Sequence, residues 1–194
     1  MTVWLALQQA CGASATDTIL VHAGSGGIGT AAINVSNVLG ANVWSTAGNV
    51  AKRGYVRALG VHSVCSTRST AFSEPFHSGV DLILNSLTSS GMIASSLSCI
   101  RTGGRFVELG KRDIWSTKSM KMERPDLTYN LVALDFLPPS HVQKIMTDLS
   151  HALALGAVKP LASTVHGMNQ VCSALRQMSS CLLYTSDAAD EIAS

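Results

Sequence analysis

Apolar residues fall in short runs separated by glycines and polar residues, and the runs alternate between two periodicities. Residues 18–23, TILVHA, are a β-branched and apolar run with polar residues before it and glycines after it, the mark of a buried parallel strand. TAAINVSNVLG, 30–40, places Ile33, Val35, Val38 and Leu39 inward on a helix that Gly40 stops. ANVWSTAG, 41–48, predicts a second strand; NVAKRGYVRALG, 49–60, a second helix with Val50, Tyr55 and Leu59 near one face; and GVHSVCS, 60–66, a short third strand. GVDLILNSL, 79–87, is apolar after Asp81 and predicts a central strand, and MIASSLSCI, 92–100, has Ile93, Leu97 and Ile100 at helical spacing. Gly103 and Gly104 turn the chain into the strand RFVELG, 105–110. After an irregular stretch rich in Lys and Met, NLVALDFL, 130–137, predicts one more strand, ended by Pro138 and Pro139. Ser140 with Gln143 forms a capping box, and Val142, Ile145, Met146, Leu149 and Leu153 trace one face of a helix running to Gly156. Strand and helix thus alternate repeatedly, the pattern of a doubly wound α/β domain with a mostly parallel sheet, which takes its ligands at the carboxyl ends of the strands.

Composition narrows the partners. The chain has 194 residues, 46% of them hydrophobic, enough for one ordinary domain with a real core. Only 13% are charged, the formal net charge is +2, and no run reaches the roughly 18 apolar residues of a membrane span, so neither nucleic acid nor membrane is expected as a partner. MTVWLALQQACGAS lacks the basic flank and cleavage site of a secretory signal, which predicts a cytoplasmic protein. Cys11, Cys65, Cys99, Cys172 and Cys181 are far apart and show no zinc-knuckle spacing, so reduced thiols and no metal are expected. Residues 181–194 break the pattern: CLLYTSDAADE matches the translation of a transposon adaptor used in sequencing libraries. The expected fold is therefore 1–180, with 181–194 as a foreign tail; leaving it out removes Asp187, Asp190 and Glu191 and no base.

GSGGIG sets Gly24, Gly26 and Gly29 at the GxGxxG spacing, between a predicted strand and a predicted helix, which is the context of a dinucleotide-binding turn. Gly24 allows the tight turn, Gly26 a close approach of backbone to pyrophosphate, and Gly29 close packing of helix on strand. The helix start offers N–H groups and its positive dipole end to phosphate. An NAD site would carry an acid about 20 residues further on for the ribose hydroxyls. No acid occurs between Asp17 and Glu74, whereas Lys52, Arg53, Arg57 and Arg68 do, with Ser45 and Thr46 at the end of the second strand. That favours a 2'-phosphate, hence NADPH, with Lys52 and Arg68 donating to it and Arg53 or Arg57 left on a solvated helix face.

ILVHAGSGGIGTAAI, AKRGYVRALG, VDLILNSL, GRFVELGKRDI and RPDLTYNLVALDFL together resemble the enoyl reductase domain of modular polyketide synthases and animal-type fatty acid synthases, within the medium-chain dehydrogenase/reductase superfamily. The resemblance runs from about Val3 to Ser180 and implies NADPH-dependent reduction of a trans-2-enoyl thioester held on an acyl carrier protein, without metal, next to other domains of a synthase. It implies cofactor contacts from Gly24, Ser25, Gly26, Gly27, Ile28 and Gly29, and from Thr46, Lys52, Arg68, Asn85, Ser86, Leu109 and Gly110. Lys111, in LGKRD, and Asp135, in VALDF, match its proton donors. Read on their own residues, Lys111, Arg112 and Asp113 are equally a solvated strand end, and Asn85 and Ser86 equally a structural one. Asp135, inside an apolar run, predicts a buried carboxylate that needs a partner. His22 reads as a satisfied core histidine, and Lys118, Met120, Lys121 and Met122 as a surface loop facing the carrier protein. VWLALQQ resembles the helix that enters the nucleotide-binding half, so an acyl-binding subdomain is expected before Met1 and the chain is expected to be a fragment. A free-standing quinone oxidoreductase and a noncatalytic nucleotide-binding module are the rival readings.

Overall fold

In a computed structural model, residues 1–77, 79–87, 89–110, 114–161, 163 and 165–179 are described. Six strands form one sheet in the order β3-β2-β1-β4-β5-β6: β1 Thr18–Val21, β2 Asn42–Ala47, β3 Ser63–Ser66, β4 Val80–Asn85, β5 Ile100–Glu108 and β6 Thr128–Leu131. Every pairing is parallel. The helices are α1 Thr2–Trp4, which continues as π-helix over Leu5–Ala10, α2 Gly27–Val38, α3 Val50–Ala58, α4 Ser73–Phe76, α5 Met92–Cys99, α6 Thr117–Glu123, α7 Pro139–Ala154 and α8 Val171–Ser179. This is the doubly wound α/β fold.

Alternation along the strands divides the core. Ile19, Val21, Val43, Leu82, Leu84 and Val107 pack with Leu7, Ile33, Val35 and Val56 on one face of the sheet. Leu20, Ile83 and Phe106 pack with Phe72, Phe76, Ile93, Leu97 and Met120 on the other. Both faces are covered, so the central strands read as continuously apolar rather than alternating. At the amino ends of the strands, Arg105 pairs with Asp17 and donates to the Cys11 carbonyl at 2.8 Å, and Arg101 pairs with Asp81 at 2.9 Å.

Several local expectations change. Gly103 and Gly104 lie inside β5, in an irregularity between the pairings Val80↔Ile100 and Leu82↔Arg105, and do not precede the strand. Gly103 takes φ 73°, which a bulge there needs and a side chain would resist. NLVALDFL is not one strand: β6 stops at Leu131 and Leu134–Phe136 form a 3-10 turn. Pro139 starts α7 with Pro138 as its N-cap and no side-chain cap, so the Ser140 capping box does not form. Along α7 only Ile145 is fully buried. On α3 the inward residues are Lys52 and Val56, while Val50 is exposed, as Val38 is on α2. The Lys- and Met-rich stretch holds helix α6, capped by Ser116 and buried at Met120. Residues 181–194 lie outside the described residues.

Candidate dinucleotide site at the carboxyl edge of the sheet

β1 pairs with β2 on one side and β4 on the other, so the chain crosses in opposite directions from β1 and leaves a crevice at its carboxyl end. The glycine-rich loop fills that crevice. Ala23 opens it at φ 51°, a left-handed conformation that costs a residue with a Cβ about 1–2 kcal/mol. The turn is held by Gly24 N–H on the Thr46 carbonyl at 2.8 Å and Gly26 N–H on the Ala23 carbonyl at 2.9 Å. A Cβ on Gly29 would stand 2.6 Å from Gly24 Cα and closer still to the Ala23 carbonyl, so only glycine lets α2 sit against the loop. Gly26 is the N-cap of α2 and no side chain caps the helix. Beside it, the Ser25 hydroxyl is buried with no hydrogen-bond partner among the described residues. A buried donor without an acceptor is costly, and an uncapped helix start is an anion site, so the loop fits a pyrophosphate.

The loops after β2 and β3 adjoin, because Thr46 and Ala47 pair with Cys65 and Ser66. Lys52, in the first turn of α3 behind the Asn49 cap, is buried, and Arg68, two residues past β3, is exposed. Arg53 Nη1 donates to the Gly48 carbonyl at 3.3 Å, and Arg57 lies exposed further along α3. Thr46 departs from expectation. Its side chain is fully buried and its hydroxyl lies 3.0 Å from His22 Nδ1 and 3.4 Å from the Ala23 amide, so it braces the loop and does not present an oxygen to a ligand. Ser45 likewise donates inward, to the Val21 carbonyl at 2.7 Å.

At the other end of the crevice, the Asn85 side chain is turned inward. Its Nδ2 donates to Glu108 Oε2 at 2.7 Å and to the Leu87 carbonyl at 3.0 Å, and its Oδ1 accepts from Leu87 N–H at 3.2 Å. The structural role therefore holds for the Asn85 side chain, whereas Ser86 is exposed at the strand end. Glu108, which the sequence reading passed over, is 1% exposed; its Oε1 accepts from Gly110 N–H at 2.7 Å. Burial pushes its carboxyl above the usual range, against the pull of the bonds from Asn85 and Gly110. A lone acid inside RFVELG was the available signal. Leu109 and Gly110 are half-buried, and Leu109 N–H donates to the Asn85 carbonyl at 3.0 Å. Asp135 sits exposed on the 3-10 turn after β6, next to an exposed Phe136, so of these two acids Glu108 is the buried one. Lys111, Arg112 and Asp113 lie outside the described residues.

The sequence model for zinc-binding dehydrogenases matches residues 59–181. The chain belongs to that family. Among the described residues no three His, Cys, Asp or Glu side chains come together to hold a metal, so the residues described do not fit the zinc of the family's name. The chain is 36% identical to a mycocerosic acid synthase-like polyketide synthase of Mycolicibacterium smegmatis over 91% of its own length, and it spans 9% of that synthase. Solved structures resemble it as well. The CurK enoyl reductase shares 29% identity with TM-score 0.85, over 95% of this chain and 57% of that one. The nucleotide-binding subdomain of the enoylreductase domain of PpsC from Mycobacterium tuberculosis shares 30% identity with TM-score 0.74, over 82% of this chain and 94% of that one. This zinc-binding dehydrogenase family member thus corresponds over most of its length to a nucleotide-binding subdomain. No helix among its described residues is long and apolar enough to cross a membrane.

Proposed function

We propose that these residues form the NADPH-binding part of an enoyl reductase that works beside other domains of a synthase on a trans-2-enoyl thioester carried by an acyl carrier protein. The observation that carries this reading is the glycine-rich loop at the switch point of the sheet, with the buried Ser25 hydroxyl and the uncapped start of α2 beside it. Likeness to polyketide synthases and to solved enoyl reductases supports the reaction class. When bound, the nicotinamide supplies a hydride from its carbon-4 to the β-carbon of the enoyl thioester. The chain's own residues hold and protonate. Ser25 and the first amides of α2 orient the pyrophosphate, and Lys52 and Arg68 take the 2'-phosphate in an interval of sequence that contains no acid. Ser86 and the main chain of Leu109 and Gly110 border the nicotinamide. Lys111 stabilises the negative charge that builds on the thioester oxygen, and Lys111 or Asp135 delivers the proton to the α-carbon.

Fluorescence titration with the two reduced nucleotides tests the cofactor. Each charge-assisted bond to the 2'-phosphate contributes about 1.5–3 kcal/mol, so NADPH should bind at least about ten-fold more tightly than NADH. Arg68→Ala should lower that preference by about ten-fold or more, the Lys52 bond remaining, and leave NADH binding unchanged. Equal affinity of the unmodified chain for both nucleotides would refute the assignment. Because these residues correspond to 57% of a solved enoyl reductase, they should bind NADPH without reducing a crotonyl thioester; turnover by this chain alone would overturn that expectation.

A further inference from the structure

We propose that His22 is a positioning residue for dinucleotide binding, the centre of a one-directional hydrogen-bond relay that sets the opening turn of the glycine-rich loop; this rests on the NADPH reading above. His22 is 2% exposed at the end of β1, where its N–H donates to the Leu84 carbonyl of β4 at 3.2 Å, across the switch point. Its ring joins three further elements. Nδ1 lies 3.0 Å from the Thr46 hydroxyl on β2, Nε2 lies 2.9 Å from the Ser96 hydroxyl on α5, and the Phe72 ring stands edge-on to it at 5.1 Å.

The proton positions follow from the partners. The Ser96 hydroxyl spends its only proton on the Met92 carbonyl, at 2.8 Å, so it must accept from His22 and Nε2 carries the ring hydrogen. Nδ1 is then bare and accepts from the Thr46 hydroxyl. That leaves the Thr46 oxygen as acceptor for the Ala23 amide at 3.4 Å, while the Thr46 carbonyl accepts from Gly24 at 2.8 Å. Every link runs the same way, from Ala23 through Thr46, His22 and Ser96 to Met92. Thr46 thereby holds the first two residues of the loop, one of them the left-handed Ala23, and His22 orients Thr46. A ring that only filled space would leave the Thr46 rotor undetermined, and with it the acceptor that meets Ala23.

Asparagine and glutamine divide the relay. His22→Asn keeps an acceptor near the Nδ1 position and loses the bond to Ser96; His22→Gln reaches Ser96 with a donor and loses the acceptor for Thr46. The expected result is that H22N binds NADPH within about three-fold of the unmodified chain, whereas H22Q and Thr46→Val bind about ten-fold or more weakly, even where H22N and H22Q lower Tm equally. Hydrogen exchange without nucleotide gives a readout independent of the cofactor: the Ala23 and Gly24 amides should exchange faster in H22Q and T46V than in H22N. Equal exchange in H22N and H22Q, or affinity that only follows Tm, overturns the relay. A chain that binds neither nucleotide overturns the NADPH reading instead, and the exchange pattern still decides the role of His22.

Discussion

Desolvation pushes the His22 imidazole down from 6.5 to about 3, because the ring is enclosed and its neighbours Thr46, Ser96 and Phe72 are all uncharged. The sign of the consequence follows. Above pH 6.5 the ring is neutral whether folded or not; between pH 6.5 and about 3 the unfolded chain takes up a proton that the folded chain refuses. Stability should therefore fall on acidification through that window, by up to about 1.4 kcal/mol per pH unit from this one group. Urea unfolding at several pH values between 7 and 4 should show the loss, and His22→Asn should flatten it; an unchanged slope would count against a neutral buried ring. Glu108 shows where residue-level reading fails. A charge inside an apolar run predicts burial at Asp135, which is exposed, as much as at Glu108, which is buried. Both acids sit in apolar contexts in the sequence, and only the turn after β6 separates their fates.

The βαβ element at the loop was legible in advance, because its determinants are local. An apolar run, glycines at a fixed spacing and a helical period lie within 22 residues of one another, from Thr18 to Leu39. The four glycines of the loop are not equivalent, and substitution should show it. Gly29→Ala drives a Cβ into backbone on two sides and should cost at least about 2 kcal/mol in denaturant unfolding. Gly27→Ala meets nothing within 4 Å and should leave stability unchanged or raise it by up to about 1 kcal/mol. Similar losses from both would show that the loop packs differently. The elements whose limits differ from the local pattern are those set by partners elsewhere in the chain. β5 begins at Ile100 because β4 offers it a partner there, and α7 begins at Pro139 because proline already supplies the helical φ and has no N–H to cap. The sequence pattern of α6 looks like a loop because the inward face of Met120 exists only where it joins the cluster that holds Phe106 and Leu97.

At the scale of the molecule, the two-sided core divides the cysteines by reactivity. Cys99 is buried under the sheet, with its thiol pushed up to about 12, and burial also raises Cys11 and the half-buried Cys65, whereas Cys172 is exposed on α8. Among the cysteines of the described residues, alkylation at pH 8 followed by mass spectrometry should modify Cys172 first and reach Cys99 and Cys11 only on unfolding. Early modification of Cys99 would mean that the α5 side of the core opens. By itself the sequence determined that strands and helices alternate, where the glycine-rich turn stands, and that the interval from there to Glu74 holds bases and no acid, because periodicity, glycine spacing and charge are carried by neighbours along the chain. The tertiary structure alone decided that Thr46 and Asn85 turn inward, that Glu108 is buried where Asp135 is exposed, and that His22 ties the loop to α5. Those outcomes depend on which strands lie side by side: Asn85 meets Glu108, and His22 meets Thr46, only once β4 is in register with β5 and β1 with β2.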